Sequence, residues 1–146
     1  MTQATRPDRR ALARPVVFGL ADGCMSIMGV VLYAAGHTGM VFPLAVSGGV
    51  SAAASMASGE WLSESENGPL AAVAMGLATL GGSVLPAVPY AFLRGVWAPG
   101  VSVAMLAVVA AVVARLRAHR RHPYLETAAA LAAVLVLSVA CALLIT

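Results

Sequence analysis

Lysine is absent from this 146-residue sequence, and all nine cations are arginine. Charge of either sign is scarce: 10% of the residues are charged, against roughly 25% in an ordinary soluble domain. The deficit comes from long apolar runs rather than from even dilution, and 60% of the chain is hydrophobic. A water-excluding soluble core is therefore the wrong frame, and the length leaves no room for a separate soluble domain beside the apolar runs. Cysteine is also sparse. Cys24 and Cys141 both sit inside apolar runs without a CxxC partner, which excludes a disulfide framework. There is no nucleophile–base arrangement, no Gly-rich phosphate loop and no Cys/His zinc spacing, so the sequence is not read as an enzyme. The formal charge of +3 would suit nucleic acid only if the arginines were spread over one soluble face. They cluster instead at the ends of apolar runs, where they orient a protein in a bilayer, and no nucleic-acid partner is expected.

What is present is a series of apolar segments, each close to the roughly 20 residues that cross a hydrocarbon layer as a helix. The boundaries predict spans at 15–35, 40–62, 70–93, 101–114 and 124–145. The fourth is just long enough to cross when its flanks are included. Between them lie a short turn at Gly36–Gly39, a polar break at Ser63–Pro69, a turn at Arg94–Gly100 and a basic loop at Arg115–Pro123. The expected fold is an all-α integral membrane protein of five transmembrane helices. Residues 1–14 form a basic tail and residues 15–146 the transmembrane domain. Pro15 suits the first turn of a helix. The basic start followed by an apolar run also has the look of a signal peptide. Asp22 interrupts that run, however, and the run outlasts a typical signal core, so the first span is read as uncleaved.

Arginine counts give the orientation. With five spans, Arg6, Arg9, Arg10 and Arg14 fall on the same side as Arg115, Arg117, Arg120 and Arg121, and the other side holds only Arg94. Basic residues in short loops favour the cytoplasm. The N-terminus is expected inside and the C-terminus outside. The short, arginine- and alanine-rich chain fits a multi-pass protein of a bacterial plasma membrane.

Asp22 is the strongest chemical feature. It lies seven residues into the first predicted span, roughly 10 Å below the boundary. An ionisable group there costs about 3 kcal/mol on insertion scales and is a functional candidate. Aspartate is too short to reach the surface by extending along the helix. Glu60 ends span two on the same side, with Met56 one turn earlier on the same face. Counted from the ends of the spans, Met56 reaches about the depth of Asp22, and Met25 and Ser26 lie one turn beyond Asp22. Two neighbouring helices would then offer carboxylates and thioethers to one point. Carboxylates are hard oxygen ligands and thioethers favour softer metals, whereas magnesium or calcium alone would want oxygen throughout. The mixture points to iron(II), manganese or a similar ion. The plain alternative for methionine is apolar filler.

Glu64 and Glu66 lie in an inner loop without arginine. That suits either a cation-attracting mouth or a solvated turn. His119 and His122 sit among arginines, which disfavour a cation, and Glu126 starts span five, where a carboxylate favours a helix N-terminus. The run Gly48–Ser55 consists of small residues that let helices pack closely. Pro86 and Pro89 free backbone carbonyls in span three, which fits a simple kink as well as a broken helix beside a transport path.

These residues resemble a known family. Phe18-Gly-Leu-Ala-Asp22-Gly23 is similar to the first helix of the vacuolar iron transporters. Ser55-Met56-Ala-Ser-Gly-Glu60-Trp61 resembles that family's second-helix motif, and Gly81-Gly82-Ser-Val-Leu-Pro86-Ala-Val-Pro89-Tyr90 its double-proline third helix. Spans four and five match only in length and hydropathy. The resemblance implies a five-helix homodimer built around the first helices. It implies export of Fe2+, and often Mn2+, from the cytoplasm in exchange for protons, the metal being cargo rather than cofactor. Asp22 would be the metal and proton carboxylate, Met56 a pathway ligand and Glu60 the cytoplasmic mouth, with Met25, Ser26 and Glu64 as further candidates. The better-known members carry a long Glu-rich domain between spans two and three. Here only Ser63–Pro69 connects those spans. The short form is therefore expected to be either a trimmed transporter or a membrane accessory or metal-sensing scaffold.

Overall fold

The computed structural model describes residues 9–33, 38–63, 68–93, 95, 97–117 and 122–145. They form α1 (Arg9–Tyr33), α2 (Thr38–Leu62), α3 (Gly68–Val84), a 3-10 turn (Leu85–Ala87), the short α4 (Pro89–Phe92), α5 (Trp97–Leu116) and α6 (Pro123–Ile145). No strand occurs among the described residues. Among the described residues, four stretches are long and apolar enough to cross a membrane: Leu12–Val31, Gly39–Leu62, Gly68–Ala87 and Trp97–Leu116. α6 runs for 23 residues and contributes the shorter apolar stretch Tyr124–Val134. Large apolar side chains such as Leu77, Val108 and Leu137 lie exposed on these helices, as they do where lipid is the solvent. The chain is an all-α, multi-pass integral membrane protein.

Two helices begin a full turn or more earlier than hydropathy alone predicts. α1 starts at Arg9, so part of the expected tail is helical and Pro15 lies inside the helix. Proline removes one helical hydrogen bond, here to Ala11, in the second turn of α1, a loss of the kind membrane helices accommodate. α5 starts at Trp97 rather than Val101. Pro99 is its third residue, where the amide has no helical partner in any case. The turn falls inside the expected Arg94–Gly100 segment, at Gly95, whose φ of +67° favours glycine.

α3 is packed between α1 and α2. It runs parallel to α1, since Gly19 faces Met75 and Gly23 faces Thr79 and Ser83. It runs antiparallel to α2, since Gly49 faces Ser83 while Gly76 faces Ala53 and Ala57. These contacts are so close that a Cβ on Gly82 would lie 2.6 Å from the Leu20 carbonyl oxygen. Lipid supplies no hydrophobic drive between helices, so small residues that admit close backbones take its place. α5 and α6 lie against another side of α1, and the broken end of α3 sits between α2 and α5. Ile27, Val41, Ala45, Ala87, Tyr90 and Ala98 close that end of the bundle as an apolar cluster.

The break follows from two prolines. Pro86 has no amide for the Gly82 carbonyl, and Pro89 has none for that of Leu85. Neither carbonyl is abandoned, as hydrocarbon surroundings require. The Cys24 thiol donates to the Gly82 oxygen at 3.5 Å, and the Val88 amide donates to the Leu85 oxygen at 3.3 Å. From α5, the Ser102 hydroxyl donates to the Pro86 oxygen at 2.5 Å. Farther down α3, Ser83 donates to the carbonyls of Thr79 (2.9 Å) and Gly23 (3.3 Å), which stitches α3 to α1.

Candidate functional site

Asp22 lies close to the middle of the apolar stretch Leu12–Val31. At 1.5 Å per residue it is roughly 15 Å from the Leu12 end, deeper than a helix beginning at Pro15 suggests. Two residues of its turn, Gly19 and Gly23, are pressed against α3. The residues one turn before and after it, Phe18 and Ser26, are exposed, Phe18 by 57%. Asp22 itself is half-buried. Its carboxylate therefore stands beside the α1–α3 seam, on a flank of α1 that the chain's own helices cover only in part. Among the described residues, none hydrogen-bonds to it.

The other candidates divide around it. Met25 lines a groove between α1, α5 and α6, with Cys24, Val109 and Leu131 among its neighbours. Ser26 lines a different cleft of about 70 Å³ between α1 and α2, with Ile27, Gly48, Gly49 and Ser83. Met25 and Ser26 thus flank Asp22 on opposite sides. Met56 and Glu60 are both half-buried on α2. The packing register carries a depth comparison across α3. Gly23 and Gly49 both face Ser83, whereas Gly19 faces Met75, next to Gly76, which faces Ala57. On this register Met56 lies a turn or more below Asp22, roughly 5–8 Å towards the N-terminal end of α1, and Glu60 one turn farther. Equal depth, expected by counting from helix ends, gives way to a descending ladder. The reason is that α1 begins two turns earlier than hydropathy suggests. Glu64 and Glu66 lie outside the described residues.

The ladder descends to the end of the bundle that holds the arginines. Ala21, Val113 and Thr127 line one groove, so the start of α1, the end of α5 and the start of α6 share that end. There Arg117 donates to the Glu126 carboxylate at 2.9 Å. Glu126 is therefore an ion-pair partner as well as an acid at a helix N-terminus, a role its sequence position alone does not reveal.

Chemically, one chain offers a lone carboxylate at mid-span with thioether and hydroxyl groups at its flanks. Among the described residues, no three His, Cys, Asp or Glu side chains gather to hold a metal. The donors that hold the seam and the break, Cys24, Ser83 and Ser102, are not singled out by the sequence. The i,i+4 pair Thr79/Ser83 and the position of Gly82 four residues before Pro86 were the available clues. Comparison with family models, with curated proteins and with solved structures finds no match to this chain.

Proposed function

We propose that this chain is a homodimeric carrier that exports a divalent transition metal, Fe2+ or Mn2+, from the cytoplasm in exchange for protons. The carrying observation is Asp22, a carboxylate at the middle of an apolar helix on a flank its own chain leaves partly open. A charged group at that depth is costly and is kept where an ion or proton uses it. Two Asp22 carboxylates, one from each copy, match the charge of one divalent ion, and two protons replace it on return. Met56 and Glu60 supply softer and harder donors along the way in from the arginine end, which positive-inside logic assigns to the cytoplasm in a five-span arrangement. The similarity of Phe18–Gly23 and Ser55–Trp61 to the vacuolar iron transporters supports the same reading.

A second reading is a metal-sensing or accessory scaffold. It is favoured by the lack of a three-ligand cluster among the described residues and by the short connection after Ser63. Tolerance tests the carrier directly. Bacteria expressing the protein gain resistance to excess iron or manganese, and Asp22→Ala at equal expression abolishes it. Equal resistance with the variant rejects the carrier. Metal binding by the purified protein without any gain in tolerance supports the scaffold.

A further inference from the structure

The groove between α1, α5 and α6 combines two features that the proposed transport does not use. Its walls are apolar, formed by Met25 of α1, Val109 and Val113 of α5, and Leu131 of α6. Its polar members are turned to other tasks: the Cys24 thiol donates away from the groove to Gly82, and Thr127 is buried. The faces that line this groove lead, by helical spacing, to charged and aromatic residues at one end. On α1, Arg14, Ala21 and Met25 recur at steps of seven and four. On α5, Val109, Val113 and Arg117 recur at steps of four, and on α6 Tyr124, Thr127 and Leu131 at steps of three and four. Arg14 and Tyr124 are exposed. Arg117 gives one N–H to Glu126, and a guanidinium has further donors to give.

We infer that this groove is a binding site for an anionic phospholipid. Its phosphate is held by Arg14 and Arg117, and one acyl chain runs along Val113, Val109 and Met25. The charge of the mouth selects an anionic over a zwitterionic headgroup. The apolar floor begins within about 10 Å of Arg14, seven residues along α1, which is where an acyl chain leaves its headgroup. Basic pockets between membrane helices bind anionic headgroups in this manner, each arginine near the surface contributing about 1 kcal/mol. Tyr124 fits the interfacial role of an aromatic ring with one apolar and one wet end. Glu126 opposes the phosphate and at the same time fixes the Arg117 side chain. The site is independent of any metal.

The test places a single tryptophan at the mouth: Tyr124→Trp in a chain with Trp61→Phe and Trp97→Phe. This full-length protein is reconstituted in phosphatidylcholine vesicles containing either brominated phosphatidylglycerol or brominated phosphatidylcholine at equal mole fraction. The inference requires stronger quenching by the anionic lipid, and an apparent preference that falls ~5-fold for each of Arg14→Gln and Arg117→Gln. Equal quenching by the two lipids, or a preference that both variants retain, overturns it. Weak quenching by both lipids shows that neither occupies the groove and likewise overturns it. Should the reporter chain fail to fold, the unmodified protein is purified from mixed vesicles and its retained lipid counted by mass spectrometry. Phosphatidylglycerol retained above its bulk fraction, and lost in Arg14→Gln, upholds the site. Retention at the bulk ratio rejects it.

Discussion

The Ser102 hydroxyl of α5 donates to the Pro86 carbonyl at 2.5 Å, and Ser102 is fully buried. The bond joins a straight helix to the point where the third apolar segment breaks. Removing the donor leaves a buried carbonyl without this partner, in surroundings that offer no water. Ser102→Ala should therefore destabilise the fold by about 1 kcal/mol, the typical net worth of a protein hydrogen bond. Ser102→Thr retains the hydroxyl and tests the donor separately from the volume. Reversible unfolding in mixed micelles reads both variants. An alanine variant as stable as the parent would mean that the bond contributes nothing.

The α1–α3 seam predicts a sharp difference between two glycines. A Cβ on Gly23 would press on the Thr79 carbonyl oxygen and lie 2.9 Å from the Ser83 amide nitrogen. Both obstacles are backbone, so the helices must part. Gly23→Ala should cost ~2 kcal/mol, in the range of overpacked cores, and should shift the hydrogen bond from Ser83 to Gly23. Gly48 has nothing within 4 Å of its would-be Cβ. Gly48→Ala should be neutral or stabilising by up to about 1 kcal/mol through helix propensity. The same unfolding assay compares the two, and equal effects would contradict the close α1–α3 packing.

Asp22 should show opposite signs for stability and function. Its carboxylate lies near mid-span and accepts no hydrogen bond from a described residue. Asp22→Asn removes a charge whose burial in lipid costs about 3 kcal/mol on insertion scales. The asparagine variant should therefore unfold no more easily than the parent, and at higher denaturant if the charge is kept out of water. A variant that unfolds much more readily would assign Asp22 a structural role.

Much of this architecture is legible in the amino-acid sequence, because hydropathy and helix length are local properties. α2 and α6 begin and end within two residues of the expected positions. The starts of α1 and α5 were less legible. In each a proline is tolerated within the first two turns, so it marks neither a boundary nor a break. The break in the third segment was visible as Pro86 and Pro89, but not the groups that repair it, since Cys24 and Ser102 come from other helices. The chemistry of Asp22 could be read from one residue in an apolar run. Its depth relative to Met56 could not, because that depends on how α1 and α2 each register against α3. Met25 and Ser26 are neighbours in sequence, yet they enter different clefts, since successive helical residues point about 100° apart.

The central claim is that Asp22 carries metal and proton in turn, and metal flux tests it most directly. The purified protein is reconstituted into proteoliposomes and offered Fe2+, Mn2+, Co2+ and Zn2+ with and without a pH gradient, beside Asp22→Asn at equal density. The account predicts Fe2+ or Mn2+ uptake that the gradient accelerates and that counts protons moved the other way, with Asp22→Asn reduced at least ten-fold. Uptake by the asparagine variant at the parental rate, or no uptake of any of the four metals by the folded parent, would contradict it.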